Sequence, residues 1–253
     1  MSKNSKSHSG FDIYSTVVNG RPELAQVSEP LHQNILHHLS EKNMSSSEIS
    51  EATGKAQSTL SVHLDTLVSR GLIRSQPDVN DSRRKIFSVS SSKVAYSTEA
   101  SKEGIEVFHD MVNETVECEP EIYYKTLLRT LLVECEAYGM HIGPALEKIG
   151  EAMAVRMASD MPHGKLEDVI SLVQDFYERN DMGEVCIYTF LPLTIIIRDT
   201  EPYPFKICSV AQFSHGLFRR ILSETMGRDY VITKTETFGA DNNYYKFIIE
   251  LRE

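Results

Sequence analysis

The chain reads as an α+β protein: a short N-terminal unit of three helices closed by a β-hairpin, a connecting helix, and a C-terminal unit in which helices give way to an antiparallel sheet. Three observations carry this reading. From Lys55 to Leu72, KAQSTLSVHLDTLVSRGL sets Leu60, Leu64, Leu67 and Val68 three and four residues apart, one apolar stripe on an otherwise polar helix. Two strand-like runs follow, Leu72 to Gln76 and Lys85 to Val89, parted by a polar, turn-rich loop from Pro77 to Ser82. Beyond Val185, helical spacing gives way to short runs rich in β-branched and aromatic residues.

Residues 1–27 form an N-terminal extension. The first ten are mostly Ser, Lys, Asn and His, a composition that predicts disorder, and 11–27 carry no firm pattern. The segment 28–97 is the first domain. Its opening helix starts at Glu29-Pro30, buries Leu31, Ile35, Leu36 and Leu39, and ends near Lys42-Asn43. Ser45 to Glu48 offers caps for a second helix through Ala52, stopped by Gly54. The third helix closes at Arg70-Gly71, where glycine takes the left-handed cap.

The third helix opens without a bulky apolar side chain on its outward face. Lys55 leads into Gln57, Ser58, Thr59 and Ser61, with His63 one turn on. Short hydroxyl and amide side chains at a helix start lie close to base edges and phosphates while the helix end adds its own N–H donors. Arg83, Arg84 and Lys85 cluster at the hairpin tip and Arg74 stands on the outgoing strand, a basic patch suited to a phosphate backbone.

LHQNILHHLSEKNMSSSEISEATGKAQSTLSVHLDTLVSRGLI followed by RRKIFSVS resembles a winged helix-turn-helix of the ArsR type, over residues 28–92. The resemblance implies double-stranded DNA as the partner, read by Lys55, Gln57, Ser58, Thr59, Ser61, His63, Arg74, Arg83, Arg84 and Lys85. Metal-sensing members place cysteine or His/Asp ligands on the recognition helix or the dimer helix. With no cysteine before Cys118, this chain is read with no metal site and no cofactor.

Residues 98–118 form a linker helix with Ile105, Phe108, Met111, Val112, Thr115 and Val116 at helical spacing; it either pairs with its twin in a homodimer or packs on the first domain. The segment 119–253 is the second domain. Helices are expected over 121–138, 144–159 and 166–179, the first with Leu127, Leu128, Leu131, Leu132 and Cys135 on its stripe. A hairpin spans Pro192, an amphipathic helix runs from Ser209 to Met226, and Tyr230–Thr237 and Tyr244–Leu251 close the chain as a second hairpin.

This half resembles the 4-vinyl reductase domain family through GPALEKIGEAMAVRMASDM, PFKICSVAQFSHGLFRRIL, the strand around Glu236 and the final KFIIEL. The resemblance implies a small-molecule-binding fold related to tetrapyrrole-associated proteins. Members often hold a metal with a cysteine ahead of the long helix and cysteines in the last two strands. Here Cys208 fits the first position, while Thr237 and Tyr245 occupy the others. The pairing of the two halves resembles archaeal transcription regulators of the MsvR type, in which thiol redox state alters DNA binding.

Composition bounds these expectations. No apolar run approaches the roughly 20 residues that cross a bilayer, and the first twenty residues lack the apolar middle of a secretion signal, so the expectation is a cytoplasmic chain with no membrane partner. The net charge of −10 divides into +1 over 1–27, +1 over 28–97 and −12 over 98–253, so the acidity lies away from the basic patch. Four separated cysteines form no C-x-x-C pair. The redox or ligand-sensing candidates are Cys208, Cys186 and Cys118: Cys208, ahead of a helix, is the best of them and Cys118 is able to bridge subunits, while Cys135 and Cys186 sit among apolar neighbours and also read as core. His141 and His215 read as structural, and the aromatics Tyr123, Tyr124, Tyr138, Phe176, Tyr177, Phe190, Phe213 and Phe218 as core or pocket wall. The sum is a homodimeric, non-enzymatic transcription regulator whose operator affinity responds to a small molecule or to thiol oxidation. The alternative is a tetrapyrrole or other small-molecule binding protein or enzyme.

Overall fold

The computed structural model describes residues 10–79, 81, 83–159, 165–201, 203, 207, 209–239 and 243–252. The disorder expected for residues 1–10 falls, apart from Gly10, outside these. The chain divides into two compact units, 1–99 and 100–253.

The first unit opens with a hairpin the sequence reading missed. β1 (Asp12–Val18) and β2 (Arg21–Val27) pair antiparallel across Asn19-Gly20, both with positive φ, as a type I′ turn requires. The other edge of β1 pairs with β6 (Ser92–Ser97) in the order β2-β1-β6. The three helices come where expected: α1 (Pro30–Glu41), α2 (Ser46–Thr53) and α3 (Gln57–Ser69). Ser45 and Glu48 form a reciprocal capping box at the start of α2, and Gly54 and Gly71 both take the left-handed conformation. β3 (Met44–Ser45), β5 (Lys85–Val89) and β4 (Ile73–Pro77) form the wing sheet in that order.

The core of this unit is the set of stripes read from sequence. Ile35, Leu36 and Leu39 from α1 meet Ile49 from α2 and Leu60, Leu64 and Leu67 from α3, with Leu72, Ile73 and Phe87 beneath them. Leu31 and Val68 pack at its margin. α3 is therefore held by three fully buried leucines on one side and presents the other to solvent.

In the second unit, α4 (Lys102–Glu117) lies against α5 (Tyr123–Ala137): Gly104 abuts Ala137, and the buried hydroxyls of Thr115 and Thr130 hydrogen-bond at 2.7 Å. β7 (Met140–His141) is a two-residue strand, followed by α6 (Gly143–Ala158) and α7 (Leu166–Arg179). β8 (Glu184–Phe190), β9 (Leu193–Arg198), β10 (Tyr230–Phe238) and β11 (Tyr244–Leu251) form one antiparallel sheet in the order β10-β11-β9-β8. α8 (Ser209–Met226) lies over it, and Phe218, Phe247, Ile195, Ile197 and Tyr177 fill the core.

The glycines singled out in the two C-terminal motifs have a shared cause. α6 and α8 run side by side in the same sense, and a Cβ on Gly150 would lie 2.2 Å from the Phe213 carbonyl oxygen, one on Gly216 2.0 Å from that of Glu147. The backbones touch there, which only glycine permits. Among the described residues no helix is long and apolar enough to cross a membrane.

The expected stripe of α5 is turned. Leu132 and Cys135 are buried as anticipated, but Leu127, Leu128 and Leu131 are exposed, while Thr130 and Glu136 point inward. Two polar anchors fix this rotation: Thr130 bonds Thr115, and the buried Glu136 carboxylate accepts from the Ser209 N–H at 2.9 Å at the start of α8.

Candidate nucleic-acid interface

The surface of interest belongs to the first unit. α3 opens at Ala56, which supplies no side-chain cap, and the Leu60 N–H is the first to find a helical acceptor, the Ala56 carbonyl at 3.0 Å. The N–H groups of Gln57, Ser58 and Thr59 thus stand at an uncapped helix end on exposed residues, where the helix carries partial positive charge. Lys55, Gln57, Ser58, Thr59 and Ser61 are all exposed. So is Val62, which the sequence reading did not single out and whose methyls suit contact with a thymine methyl.

The structure separates the basic residues of the wing. Arg83 and Lys85 are exposed with no side-chain partner among the described residues, and Arg74 is exposed with its Nε donating to Ser88 Oγ at 3.0 Å. Arg84 is engaged. Its Nη2 donates to Ser45 Oγ and Glu48 Oε2, each at 2.9 Å, and its Nε lies 3.8 Å from Asp78. It locks the wing to the capping box of α2. The Ser45 hydroxyl and N–H, with Arg84 behind them, hold the Glu48 carboxyl down to about 2.

His63 turns away from the polar leading face. Its Nδ1 lies 3.1 Å from His32 Nε2 and 3.2 Å from Glu29 Oε1, so the ring faces α1.

Residues 30–75 match the family model of the arsR family of bacterial regulatory proteins. The arsR-type segment thus covers α1 to α3 and the first wing strand, the elements that carry the exposed polar turn. No curated protein matches the chain. Among solved structures, a vinyl-4-reductase family protein from Methanocaldococcus jannaschii is similar at 14% identity and a TM-score of 0.35, over 60% of this chain and 97% of that one.

The second unit holds a cleft of about 560 Å³ between α8 and the β10–β11 hairpin, walled by Gln212, Thr235, Glu236, Thr237, Phe238 and Lys246. Lys234 and Lys246 flank Glu236 at 2.7 and 3.0 Å and keep its carboxyl below the ordinary range. The expected aromatic wall does not line it: Tyr177 and Phe218 are core, Tyr124 and Phe190 are exposed. Thr237 and Tyr245 are direct cross-strand partners, so the two strand positions at which the resemblance implied cysteine ligands do meet here, with a hydroxyl and a buried phenol in place of sulfur. Without a thiolate, that pair does not fit the metal that the resemblance implied.

Of the thiols, Cys208 lies outside the described residues. Cys135 is buried, as expected. Cys186 is not core: β8 alternates Val185 in, Cys186 out, Ile187 in, Tyr188 out, and the period of two overrides the apolar neighbourhood. Partial burial and then the neighbouring Glu184 push its thiol up, as burial and then Glu134 push up Cys135. Cys118 is half-buried, its Sγ donating to the Thr115 carbonyl at 3.2 Å. His141 and His215 are paired with Glu136 at 2.7 Å and Glu147 at 3.0 Å, partners that no i+3 or i+4 spacing could have signalled.

Proposed function

We propose that the chain is a DNA-binding transcription regulator that acts as a homodimer, with the first unit reading the duplex and the second answering to an effector. One observation carries the reading: the uncapped first turn of α3, within an arsR-type segment, exposes Gln57, Ser58 and Thr59, and Arg83 and Lys85 stand exposed on the wing of the same unit. The turn supplies base-edge contacts, the wing supplies phosphate contacts, and specificity comes from two such heads on adjacent half-sites. His63 and Arg84 support the reader rather than touch the duplex, since both are committed to neighbours within the unit.

Homodimerisation is supported by an uncovered apolar face on the helical pair α4–α5, where Val116, Ile122, Tyr124, Leu127, Leu128 and Leu131 are exposed. The effector we place in the cleft beside Glu236, a polar recess suited to a small molecule that carries charge. Thiol sensing by Cys186 is disfavoured because its pKa is raised, which keeps the sulfur protonated. The reading is non-enzymatic and the setting cytoplasmic.

The test is fluorescence anisotropy on a duplex from the region upstream of the protein's own coding sequence, with and without reductant. Saturable binding that Gln57→Ala redirects in sequence preference supports the reading; equal, weak affinity for every duplex refutes it. The competing small-molecule carrier or enzyme predicts instead a visible chromophore or bound metal in the second unit of the purified protein, with no duplex binding.

A further inference from the structure

We propose that Glu29, His32 and His63 form a binding site for a divalent transition-metal ion of the zinc class within the DNA-reading unit itself. Glu29 precedes α1, His32 lies in its first turn and His63 sits midway along α3, so the fold unites residues up to 34 apart in sequence. One donor atom from each lies within 4.8 Å of the others. His63 Nδ1 lies 3.1 Å from His32 Nε2 and 3.2 Å from Glu29 Oε1, while the other His32 nitrogen, Nδ1, lies 3.3 Å from Glu29 Oε2; an ion takes one of the two His32 nitrogens. Ligand atoms around tetrahedral zinc, with bonds of about 2.0–2.1 Å, stand roughly 3.3–3.4 Å apart, so His63 Nδ1 already stands at that spacing from one atom of each partner, and a turn of the His32 ring or a shift of the Glu29 carboxylate brings the third pair, now within 4.8 Å, together.

The chemistry of the set agrees. Two imidazoles and one carboxylate suit zinc, cobalt and nickel rather than calcium or magnesium, and leave a fourth position for water or substrate. Glu29 occupies the N-cap position of α1 yet its side chain makes no capping hydrogen bond; it is spent on the two histidines. His32 is 5% exposed, so its ring is held in place by packing rather than free in solvent. The Glu29 and His63 side chains retain 46% and 25% exposure, so the cluster opens to solvent on one side and an ion has a way in. Arg70, which bears on His32, has its guanidinium directed to the Gln26 carbonyl at 2.5 Å.

An ion here ties the start of α1 to the middle of α3. Because α3 carries Gln57 to Ser61, occupancy fixes the pose of the reading turn, and duplex affinity then depends on metal. This consequence rests on the DNA-binding proposal; the site does not.

The experiment is titration of the full-length, chelator-treated protein with Co²⁺, read by visible absorbance. One Co²⁺ per chain is expected, with tetrahedral ligand-field bands that Zn²⁺ displaces and without a sulfur-to-cobalt charge-transfer band. Glu29→Gln and His63→Gln each abolish the bands while circular dichroism keeps the wild-type helix signal. His63→Cys restores binding and adds the charge-transfer band, a gain no misfolded variant produces. Absence of saturable bands in the wild type, or bands unchanged in Glu29→Gln and His63→Gln, overturns the site. Duplex anisotropy with and without Zn²⁺ is a separate arm. Equal affinity in both removes the coupling alone, whereas no duplex binding in either condition refutes the DNA reading and leaves the cobalt result standing.

Discussion

Replacing Arg83 and Lys85 together by alanine tests the wing most directly, because the structure distinguishes these residues from Arg84 beside them. Both side chains are exposed and make no bond to another described residue, and the Arg83 N–H that donates to Asp81 Oδ1 at 3.0 Å is kept by alanine, so the substitution breaks no bond among the described residues. If each neutralises one phosphate, the dependence of log K on log salt flattens by about 0.9 per residue, or about 1.8 for the pair, which between 50 and 200 mM salt is about a twelvefold smaller loss of affinity. The loss falls alike on specific and random duplexes, since phosphate contacts carry no sequence information. Arg84→Ala behaves differently: it strips Ser45 and Glu48 of a donor, lowering the melting temperature while leaving the salt slope near wild type. The assay is anisotropy across a salt series for the double variant, Arg84→Ala and wild type. A wild-type slope in the double variant, or a flattened one only in Arg84→Ala, refutes the division of labour argued from these contacts.

Four further outcomes follow from the packing and charges. Ser45→Ala removes the α2 cap and costs about 1–2 kcal/mol in urea denaturation of the first unit; an unchanged midpoint counts against the capping box as a stabilising element. The Glu48 carboxyl titrates near 2 in the folded chain against an ordinary 4.5, so its contribution is whole above pH 4.5 and fades as pH falls toward 2; Glu48→Gln flattens that acid limb of the melting curve. Gly216→Ala drives a methyl into the Glu147 carbonyl and costs about 1–3 kcal/mol, despite alanine's better helix propensity, where a neutral result denies the close approach. Alkylation of the exposed Cys186 outpaces that of buried Cys135 and quickens as pH rises toward its elevated pKa; labelling that is fast and flat below neutral pH reveals an activated thiolate instead.

Much of the reader was legible because its signals are local. The leucine stripe of α3, the Ser45 to Glu48 cap and the two stop glycines each act within a turn of the chain, and each lies where expected. The β1–β2 hairpin escaped notice although Asn19-Gly20 is a strong turn signal, because β2 is mostly exposed and Arg21-Pro22-Glu23 breaks the apolar alternation. The Glu29–His32–His63 cluster was illegible for another reason. His63 was read by its position on a helix face, while its partners come from α1, and no spacing rule joins residues brought together only by tertiary packing. The apolar neighbours of Cys186 point to the core, whereas the register of β8 against β9 decides which face it takes.

The rotation of α5 bears on assembly. An isolated amphipathic helix turns its richest apolar face inward, gaining roughly 25 cal/mol for each Å² removed from water. α5 does not: Leu127, Leu128 and Leu131 stay exposed, Leu128 at 56%, while a threonine hydroxyl pair and the Glu136 cap of α8 occupy the inner face. Such an orientation is costly for a lone chain and sensible for one that covers the leucines elsewhere, as the homodimer proposed above does. Leu128→Glu with Leu131→Glu leaves these inner anchors untouched, so the variant keeps its fold and shifts from dimer to monomer in sedimentation velocity. Its duplex affinity then falls toward that of a single head. A wild-type chain that sediments as a monomer at working concentration, yet binds its operator with two-fold footprints, would locate the pairing surface elsewhere and leave the exposure of α5 unexplained.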